Sequence, residues 1–227
     1  MTYGRYVVYR NFLKRLVDIV LSFIAILVLA FPMLIVAIAI KIDDPGPVLF
    51  KQKRIAQNKN GAISYFTIWK YRSMKMCTPH DTPTHLLENP DQYITRIGKF
   101  IRKTSIDELP QIYQVFVGHL SCVGPRPALW NQVDLWEERE KYGANDIKPG
   151  ITGWAQINGR DELEISDKAK LDGEYAEALN SGVFKGMVMD IKCLFGTVVS
   201  VLKADGVVEG GTGAMKKQEK TKSMVKK

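Results

Sequence analysis

The chain has 227 residues, of which 46% are hydrophobic and 25% charged, a length and composition that suit one compact domain with appendages. Its formal net charge of +8 favours an anionic partner, whether nucleic acid, a membrane surface or a phosphorylated substrate. Cys77, Cys122 and Cys193 are far apart and show no C-x-x-C spacing, which argues against a zinc site or a disulfide framework and favours a reducing compartment.

The first predicted element is a membrane helix, because residues 19–40 form an uncharged run of 22 residues, enough to span a bilayer. Pro32 lies inside the run, where it removes a helical hydrogen bond and favours a kink. Four basic residues lie on each side of the run: Arg5, Arg10, Lys14 and Arg15 before it, and Lys41, Lys51, Lys53 and Arg54 after it. Since basic flanks prefer the cytoplasmic side, this symmetry fits a helix that bends and returns to the same face. A single-pass helix that tolerates a proline is the alternative.

A β-hairpin is predicted next. Residues 48–55 and 63–71 have strand character, and Asn58-Lys59-Asn60-Gly61 between them contains the Asn-Gly pair that is typical of hairpin turns. Residues 77–92 are polar and contain three prolines, which predicts a loop.

Helices are predicted for most of the remaining chain. Ile94, Ile97 and Ile101 recur at helical spacing, with basic residues mostly on the other side, so this helix suits a membrane surface or an ordinary domain surface. A further helix follows Ser105, and others are expected over 161–180 and 184–202; the last is apolar but interrupted by charges, which indicates a core or interfacial helix. A flexible basic tail is predicted over 206–227.

The densest group of candidate catalytic residues is at 102–127. Ser105-Ile106-Asp107-Glu108 matches the S-x-x-E capping box, which would give Glu108 a purely structural role. The same motif would place Asp107 in the first turn of a helix, where the macrodipole favours an anion and free N–H groups can receive phosphate oxygens. Asp107 is therefore a candidate nucleophile, and the two adjacent carboxylates are candidate magnesium ligands.

Candidate phosphate-binding cations lie on both sides of this group. In Gly124-Pro125-Arg126-Pro127, two prolines fix the backbone around one arginine, whose guanidinium can grip phosphate in a bidentate way. Lys70 and Arg72 are further cations on the second predicted strand. A solvated turn and ordinary surface charge are the alternatives for these residues.

Taken together, the motifs resemble the bacterial sugar transferase family, the monotopic polyprenol-phosphate phosphoglycosyl transferases that initiate surface glycan and glycoprotein assembly. The matching segments, in the family's order over about 190 residues, are Lys14-Arg15 with Asp18, Asp44-Pro45-Gly46-Pro47-Val48, Trp69-Lys70-Tyr71-Arg72-Ser73-Met74, Lys103-Thr104-Ser105-Ile106-Asp107-Glu108-Leu109-Pro110-Gln111, Val123-Gly124-Pro125-Arg126-Pro127, and Lys148-Pro149-Gly150-Ile151-Thr152-Gly153-Trp154-Ala155-Gln156-Ile157-Asn158-Gly159-Arg160.

The resemblance implies a ping-pong reaction. Asp107 would attack the β-phosphate of a UDP-sugar, release UMP and carry the phosphosugar until polyprenol phosphate accepts it. Glu108 would complete an Asp-Glu dyad, with Mg²⁺ held by Asp107 and Glu108. Arg126 would bind phosphate, Lys70 and Arg102 match positions of family site cations, and Arg72 and Arg160 are further candidate substrate-binding residues. Asp190 matches a recurring acidic position without an assigned role.

The resemblance also implies the architecture: an α+β, mostly α fold with a re-entrant, proline-broken membrane helix and a cytosolic domain that contains a β-hairpin and amphipathic interfacial helices. The expected divisions are a cytosolic segment over 1–15, the membrane helix over 16–42, the catalytic domain over 43–205 and the tail over 206–227. Phe31 departs from the family, which often has a small hydroxyl residue before Pro32.

The expected partners are a UDP-sugar, undecaprenyl phosphate and the bilayer, without nucleic acid and with oligomers possible, at the cytosolic face of the bacterial inner membrane. A non-catalytic, membrane-tethered basic scaffold that binds lipid or nucleic acid is the competing hypothesis.

Overall fold

The computed structural model describes residues 9–58, 62–78, 90–159 and 163–203, which form a mostly helical α+β fold. The α-helices are α1 (Lys14–Asp43), α2 (Arg96–Lys103), α3 (Gln111–Val117), α4 (Val133–Glu140), α5 (Trp154–Ile157), α6 (Ile165–Asn180) and α7 (Val183–Lys203). The strands are β1 (Leu49–Ile55), β2 (Tyr65–Tyr71), β3 (Ser121–Val123) and β4 (Gly150–Thr152). The N-terminal segment before Tyr9 and the predicted tail lie outside the described residues.

Helix α1 contains the predicted apolar run and continues through Pro32. The predicted break is therefore not observed as an end of the helix, and the re-entrant path stays a prediction. A one-turn π-helix, Tyr9–Leu13, precedes α1. The helix ends at Asp43, and the next residue, Asp44, is extended with φ −146° and ψ 103°, as the residue before a proline prefers.

One stripe of α1 is buried against the rest of the protein near the start of the helix and again in its second half. Its buried residues recur at helical spacing: Lys14, Asp18, Ser22, Met33 and Ile40. The opposite face exposes large apolar side chains, with Leu27 64%, Val28 67% and Phe31 71% exposed. A continuous exposed apolar face of this size is typical of contact with lipid.

The predicted β-hairpin is confirmed, with β1 and β2 antiparallel in the register Leu49↔Tyr71 to Ile55↔Tyr65. On one face, Ile68 packs with Val115 and Leu120. On the other face, Tyr71 packs in a cluster with α1 and α2. The hairpin is thus held between α3 and the membrane helix, which fixes the position of Lys70. The turn residues 59–61 lie outside the described residues.

The two short strands β3 and β4 are parallel, with Ser121 opposite Gly150 and Val123 opposite Thr152. Their backbones approach so closely that a Cβ atom on Gly150 would collide with the backbone of Val123 and Gly124. Since the carboxyl ends of parallel strands meet at one edge, the loop that carries Arg126 leaves β3 beside the segment that follows β4.

The predicted helices are confirmed with shifted starts. Helix α2 begins at Arg96, because the Thr95 side chain accepts a hydrogen bond from the Gly98 N–H at 2.8 Å. Ile94, assigned from its spacing to the same helix, instead forms a β-bridge with Met74. The helix predicted over 161–180 begins at Ile165, and that over 184–202 extends over Val183–Lys203.

Candidate active site

The segment that carries the two carboxylates is a tight turn between α2 and α3. Ser105 has φ 56°, the only positive φ of a non-glycine residue in the described ranges, and Ile106–Glu108 form a 3-10 turn. Helix α3 starts only after Pro110, at Gln111. Asp107 therefore precedes the helix instead of lying in its first turn as predicted.

The predicted capping box is wrong. With Ser105 left-handed, its side chain caps neither this turn nor another described helix. The Glu108 carboxylate instead accepts hydrogen bonds from Lys70 Nζ at 2.7 Å and from Arg126 Nη2 at 2.5 Å, both at Oε1, and from Arg126 Nη1 at 3.2 Å at Oε2. The Glu108 carboxylate thus binds two side chains that are distant in sequence, because two cations outcompete a neutral backbone N–H for a carboxylate.

A buried glutamine links α3 to the strand that carries Lys70. Gln114 of α3 donates to the Thr67 carbonyl of β2 at 2.6 Å and accepts from the Trp69 N–H at 2.9 Å. Its amide thus occupies the free edge of β2 as a neighbouring strand would. These two hydrogen bonds fix the turn before α3 against the end of β2, where Lys70 lies.

Glu108 is held as an anion. Burial would raise the pKa of its carboxyl, but Arg126 and Lys70 outweigh burial and hold the pKa well below its usual range. The single negative charge of Glu108 therefore offsets part of the repulsion between these two cations.

The pKa of Asp107 is shifted in the opposite direction to that of Glu108. Its carboxylate forms an ion pair with Lys70, whose Nζ lies 4.0 Å from Oδ2, too far for a hydrogen bond. Burial raises the pKa of Asp107 to about 6, the charge of Glu108 adds to this, and Lys70, Arg126 and Arg102 oppose it. Asp107 is thus more basic than an ordinary aspartate yet ionised near neutral pH, a state that suits a nucleophile.

Asp107 and Glu108 also fit a magnesium ion. Within the described residues, no three His, Cys, Asp or Glu side chains form a metal-binding group. Magnesium, however, is usually held by one or two carboxylates and completes its shell with water and substrate phosphates. The hard oxygen atoms of this pair match that requirement.

The other predicted site residues have different positions. The positive charge of Arg102 lowers the pKa of Asp107. Arg72 is buried, with Nη1 3.0 Å from Asp44 Oδ2, so it lies at the end of α1 and not with the carboxylates. Strand β2 ends at Tyr71, and Arg72 directly follows it. Arg160 lies outside the described residues.

The structure places Asp190 in a buried network away from the carboxylates. Its side chain binds Lys14 Nζ at 2.7 Å, and accepts hydrogen bonds from the Tyr9 hydroxyl at 2.8 Å and the Tyr175 hydroxyl at 2.6 Å. Asp190 thus ties the start of the membrane helix to α6 and α7. The sequence did not predict that Lys14 and Tyr175 bind Asp190, because both lie too far from it along the chain for a local pattern to reveal the contact.

Similar proteins share most of this chain. A UDP-glucose:undecaprenyl-phosphate glucose-1-phosphate transferase of Escherichia coli is 38% identical over 193 residues, which cover 82% of this chain and 39% of that protein. A UDP-N-acetylgalactosamine-undecaprenyl-phosphate N-acetylgalactosaminephosphotransferase of Aeromonas hydrophila is 32% identical, covering 86% and 45%. An exopolysaccharide production protein of Rhizobium leguminosarum is 40% identical, covering 84% and 95%. The chain spans less than half the length of the first two.

Helix length and family agree on a membrane association. One helix of the described residues, Tyr9–Asp43 including its π-helical turn, is long and apolar enough to cross a membrane. The family model described as bacterial sugar transferase matches residues 9–204, which confirms the resemblance seen in the motifs. The chain therefore belongs to the bacterial sugar transferase family.

Proposed function

We propose that this protein transfers a sugar-1-phosphate from a UDP-sugar to undecaprenyl phosphate, releases UMP, and so initiates the assembly of a surface glycan. The names of the similar proteins from Escherichia coli and Aeromonas hydrophila support this reaction class. The observation that carries the proposal is the pairing of an ionised Glu108, which holds two cations, with a neighbouring Asp107 of raised pKa.

The reaction we propose has two displacement steps. A carboxylate oxygen of Asp107 attacks the β-phosphorus of the UDP-sugar, and the bond from that phosphorus to the bridging oxygen breaks, so UMP leaves with the electron pair. A phosphate oxygen of undecaprenyl phosphate then attacks the same phosphorus, and the bond to Asp107 breaks. The product is undecaprenyl diphosphate sugar, and the Asp107 carboxylate is regenerated.

Charge compensation is the main task of the site, because an anionic nucleophile must approach an anionic diphosphate. Arg126 and Lys70 both bind one carboxylate, that of Glu108. An incoming diphosphate presents the same type of acceptor, so its oxygen atoms would compete with Glu108 for these donors. A magnesium ion held by Asp107 and Glu108 would supply further positive charge to the phosphate oxygens.

The position of the site suits a lipid substrate. Tyr71, next to Lys70 in β2, donates a hydrogen bond from its hydroxyl to the Met33 carbonyl of α1 at 2.9 Å. The strand that bears a site cation is therefore in contact with the apolar run. A polyprenol phosphate could remain in the bilayer while its phosphate reaches Asp107.

Both ends of α1 contact the same domain, which supports a monotopic arrangement. Near the start, Asp18 Oδ1 accepts from the Cys122 N–H at 2.9 Å, and at the end, Asp43 Oδ2 accepts from the Ile97 N–H at 2.9 Å. A helix crossing the ~30 Å hydrocarbon core would place its ends on opposite sides. We therefore propose that the helix is re-entrant and that the domain is cytosolic, at the inner membrane.

The test is a UMP-release screen of UDP-sugars with detergent-solubilised protein and undecaprenyl phosphate. With sugar-radiolabelled substrate and no lipid acceptor, label should remain on the denatured protein, and mass analysis should place it on Asp107. Asp167→Asn is the matched control for Asp107→Asn. It changes an exposed aspartate in α6 and should still carry label. Turnover without any adduct would replace the two-step route by direct transfer. A basic scaffold would release no UMP with any sugar.

A further inference from the structure

The loop that carries Arg126 is held by its backbone carbonyls, one after another. Pro125 O accepts from the Gly150 N–H at 3.0 Å, and Ala128 O accepts from the Ile55 N–H at 2.9 Å. Between them, Arg126 O accepts from Arg139 Nη2 at 3.0 Å and Pro127 O from Arg54 Nη1 at 3.0 Å. Four consecutive carbonyls are thus fixed by β4, α4 and β1, and two of the four donors are arginine side chains.

Donors from outside the loop are needed here because the loop itself has few backbone N–H groups. Pro125 and Pro127 have no N–H, so they cannot form the backbone hydrogen bonds that close an ordinary turn. The prolines restrict φ, but ψ and the overall position of the loop depend on the groups around it. The donor at Arg126 O acts on the residue whose guanidinium binds Glu108.

Arg139 is itself held by a buried aspartate. Its Nε lies 2.8 Å from Asp172 Oδ2, and its Nη2 lies 2.6 Å from the same oxygen. Arg139 is 6% exposed and Asp172 is 0% exposed. Asp172 belongs to α6, so the chain of contacts runs from α6 through α4 to the backbone of Arg126.

A buried ion pair of this kind is a poor way to gain stability alone, because the desolvation of both charges offsets most of their attraction. It does fix the direction of a guanidinium, which is planar and donates along set directions. Nη2 of Arg139 uses that geometry to bind Asp172 and Arg126 O together.

We propose that Arg139, oriented by Asp172, is a positioning residue that sets the reach of Arg126 into the phosphate site. The proposal rests on the proposed function and adds to it a residue pair outside the site. Loss of this contact would let the Arg126 backbone shift, and a misplacement of about 1 Å can lower catalysis by about 100-fold.

The principal test is a double-mutant cycle between Arg139→Lys and Arg126→Lys, followed by UMP release. Lysine at 139 keeps the charge toward Asp172 but lacks the fork that reaches two acceptors. We expect Arg139→Lys to lower kcat/KM for the UDP-sugar by about 10- to 100-fold. In the Arg126→Lys background, the same substitution should lower it by less than about twofold, because the residue it positions is already changed.

The matched control is Arg10→Lys. Arg10 also donates to a backbone carbonyl, but to that of Asp146, at 2.8 Å, so this change should leave kcat/KM within about twofold of wild type. Equal losses from Arg139→Lys in both backgrounds would show a merely structural role and overturn the proposal. An inactive wild type would instead reject the proposed function. Hydrogen exchange of the loop that carries Arg126 would then decide whether Arg139 positions its backbone.

A measurement without turnover covers the case of variants that are too slow to assay. Hydrogen exchange of the peptide over 124–132 should be faster in Arg139→Lys than in wild type and unchanged in Arg10→Lys. If Arg139→Lys does not fold, Asp172→Asn keeps an oxygen acceptor for Arg139 and should show the same increase, more weakly. Unchanged exchange in the folded variants would contradict the positioning role.

Discussion

The pKa values of two neighbouring carboxylates are shifted in opposite directions at this site. Glu108 lies within hydrogen-bonding distance of Lys70 and Arg126, whereas Asp107 is 4.0 Å from its nearest ion-pair partner. Burial acts on both, but only for Glu108 is it outweighed by cations. A separation of pKa values within one site is typical of residues with different catalytic roles. This difference favours Asp107 as the nucleophile and Glu108 as the group that organises the cations.

We expect Asp107→Asn to abolish UMP release and to stabilise the fold at pH 7. The pKa of Asp107 is raised to about 6 in the folded protein, so the unfolded chain loses the proton first and stability falls as pH rises from about 4 to about 6. Removing the charge should therefore raise the free energy of unfolding at pH 7 by about 1–3 kcal/mol. Chemical denaturation at pH 7 and pH 4 checks this: the gain should be lost at pH 4.

The same pKa predicts the pH dependence of the reaction. The nucleophile must be ionised, so kcat/KM for the UDP-sugar should rise with pH and level off above the pKa of about 6. Initial rates of UMP release between pH 5 and pH 8 would measure it, with substrate titration treated separately. A profile that is flat across pH 6 would contradict an ionisation of Asp107 as the controlling event.

Magnesium dependence tests the ligand role of the pair. We expect EDTA to abolish UMP release and added Mg²⁺ to restore it in the wild type. Glu108→Gln, which removes one ligand charge, should require more Mg²⁺ for half-maximal activity; Glu138→Gln, which changes a half-buried carboxylate paired with Lys141, should not. Full activity in EDTA would remove the metal from the proposed site.

At the scale of single residues, the motifs of the sequence singled out four side chains that the structure brings together: Asp107, Glu108, Lys70 and Arg126. Their roles in binding and catalysis stay predictions. The capping box failed because the left-handed conformation of Ser105 depends on the whole turn. Arg139 and Asp172 were missed since a buried pair formed 33 residues apart along the chain leaves no local pattern.

Strand β2 connects the site to the membrane helix. Lys70 binds Glu108, and its neighbour Tyr71, on the opposite face of the strand, donates to the carbonyl of Met33, one residue after Pro32. Arg72, just beyond the strand, binds Asp44 at the end of α1. Three successive residues thus hold the site, the middle of the helix and its end. Sequence reasoning predicted the strand but assigned Arg72 to substrate binding, because its charge alone does not reveal its partner.

We expect Tyr71→Phe to loosen α1 on the domain. The change keeps the ring in its buried cluster and removes one hydrogen bond, so the free energy of unfolding should fall by about 1 kcal/mol. Limited proteolysis or hydrogen exchange of residues 28–40 in detergent should show faster opening. Tyr65→Phe is the matched control, since Tyr65 is 46% exposed on the same strand. Equal behaviour of both variants would mean that the hydroxyl contributes little.

For the whole molecule, the membrane helix and the domain share their cores. Met33 and Ile40 of α1 are buried with Tyr71 and Ile101, while Tyr9 is buried with residues of α6 and α7. The sequence predicted an apolar run and left its path open, because basic flanks and one proline suit both a bent and a straight helix. The contacts made by both ends of α1 support the bent path that we propose.

Labelling of single cysteines in sealed inverted vesicles tests the topology. We expect Asn11→Cys and Lys41→Cys, both at exposed positions and in a Cys77→Ser background, to react with a membrane-impermeant reagent from the side on which wild-type Cys77 reacts. Val28→Cys, in the exposed apolar face, should stay unlabelled. Reaction of Asn11→Cys from the opposite side would establish a single-pass anchor.

The buried stripe of α1 has a practical consequence for the preparation of a soluble form of this protein. A truncation that starts after Asp43 would leave the Asp190 carboxylate without the Lys14 ammonium and open the clusters around Tyr71 and Tyr175 to water. Such a fragment would expose core rather than a natural surface, and the most direct expectation is aggregation. Detergent or lipid is therefore part of any preparation in which this domain keeps its shape.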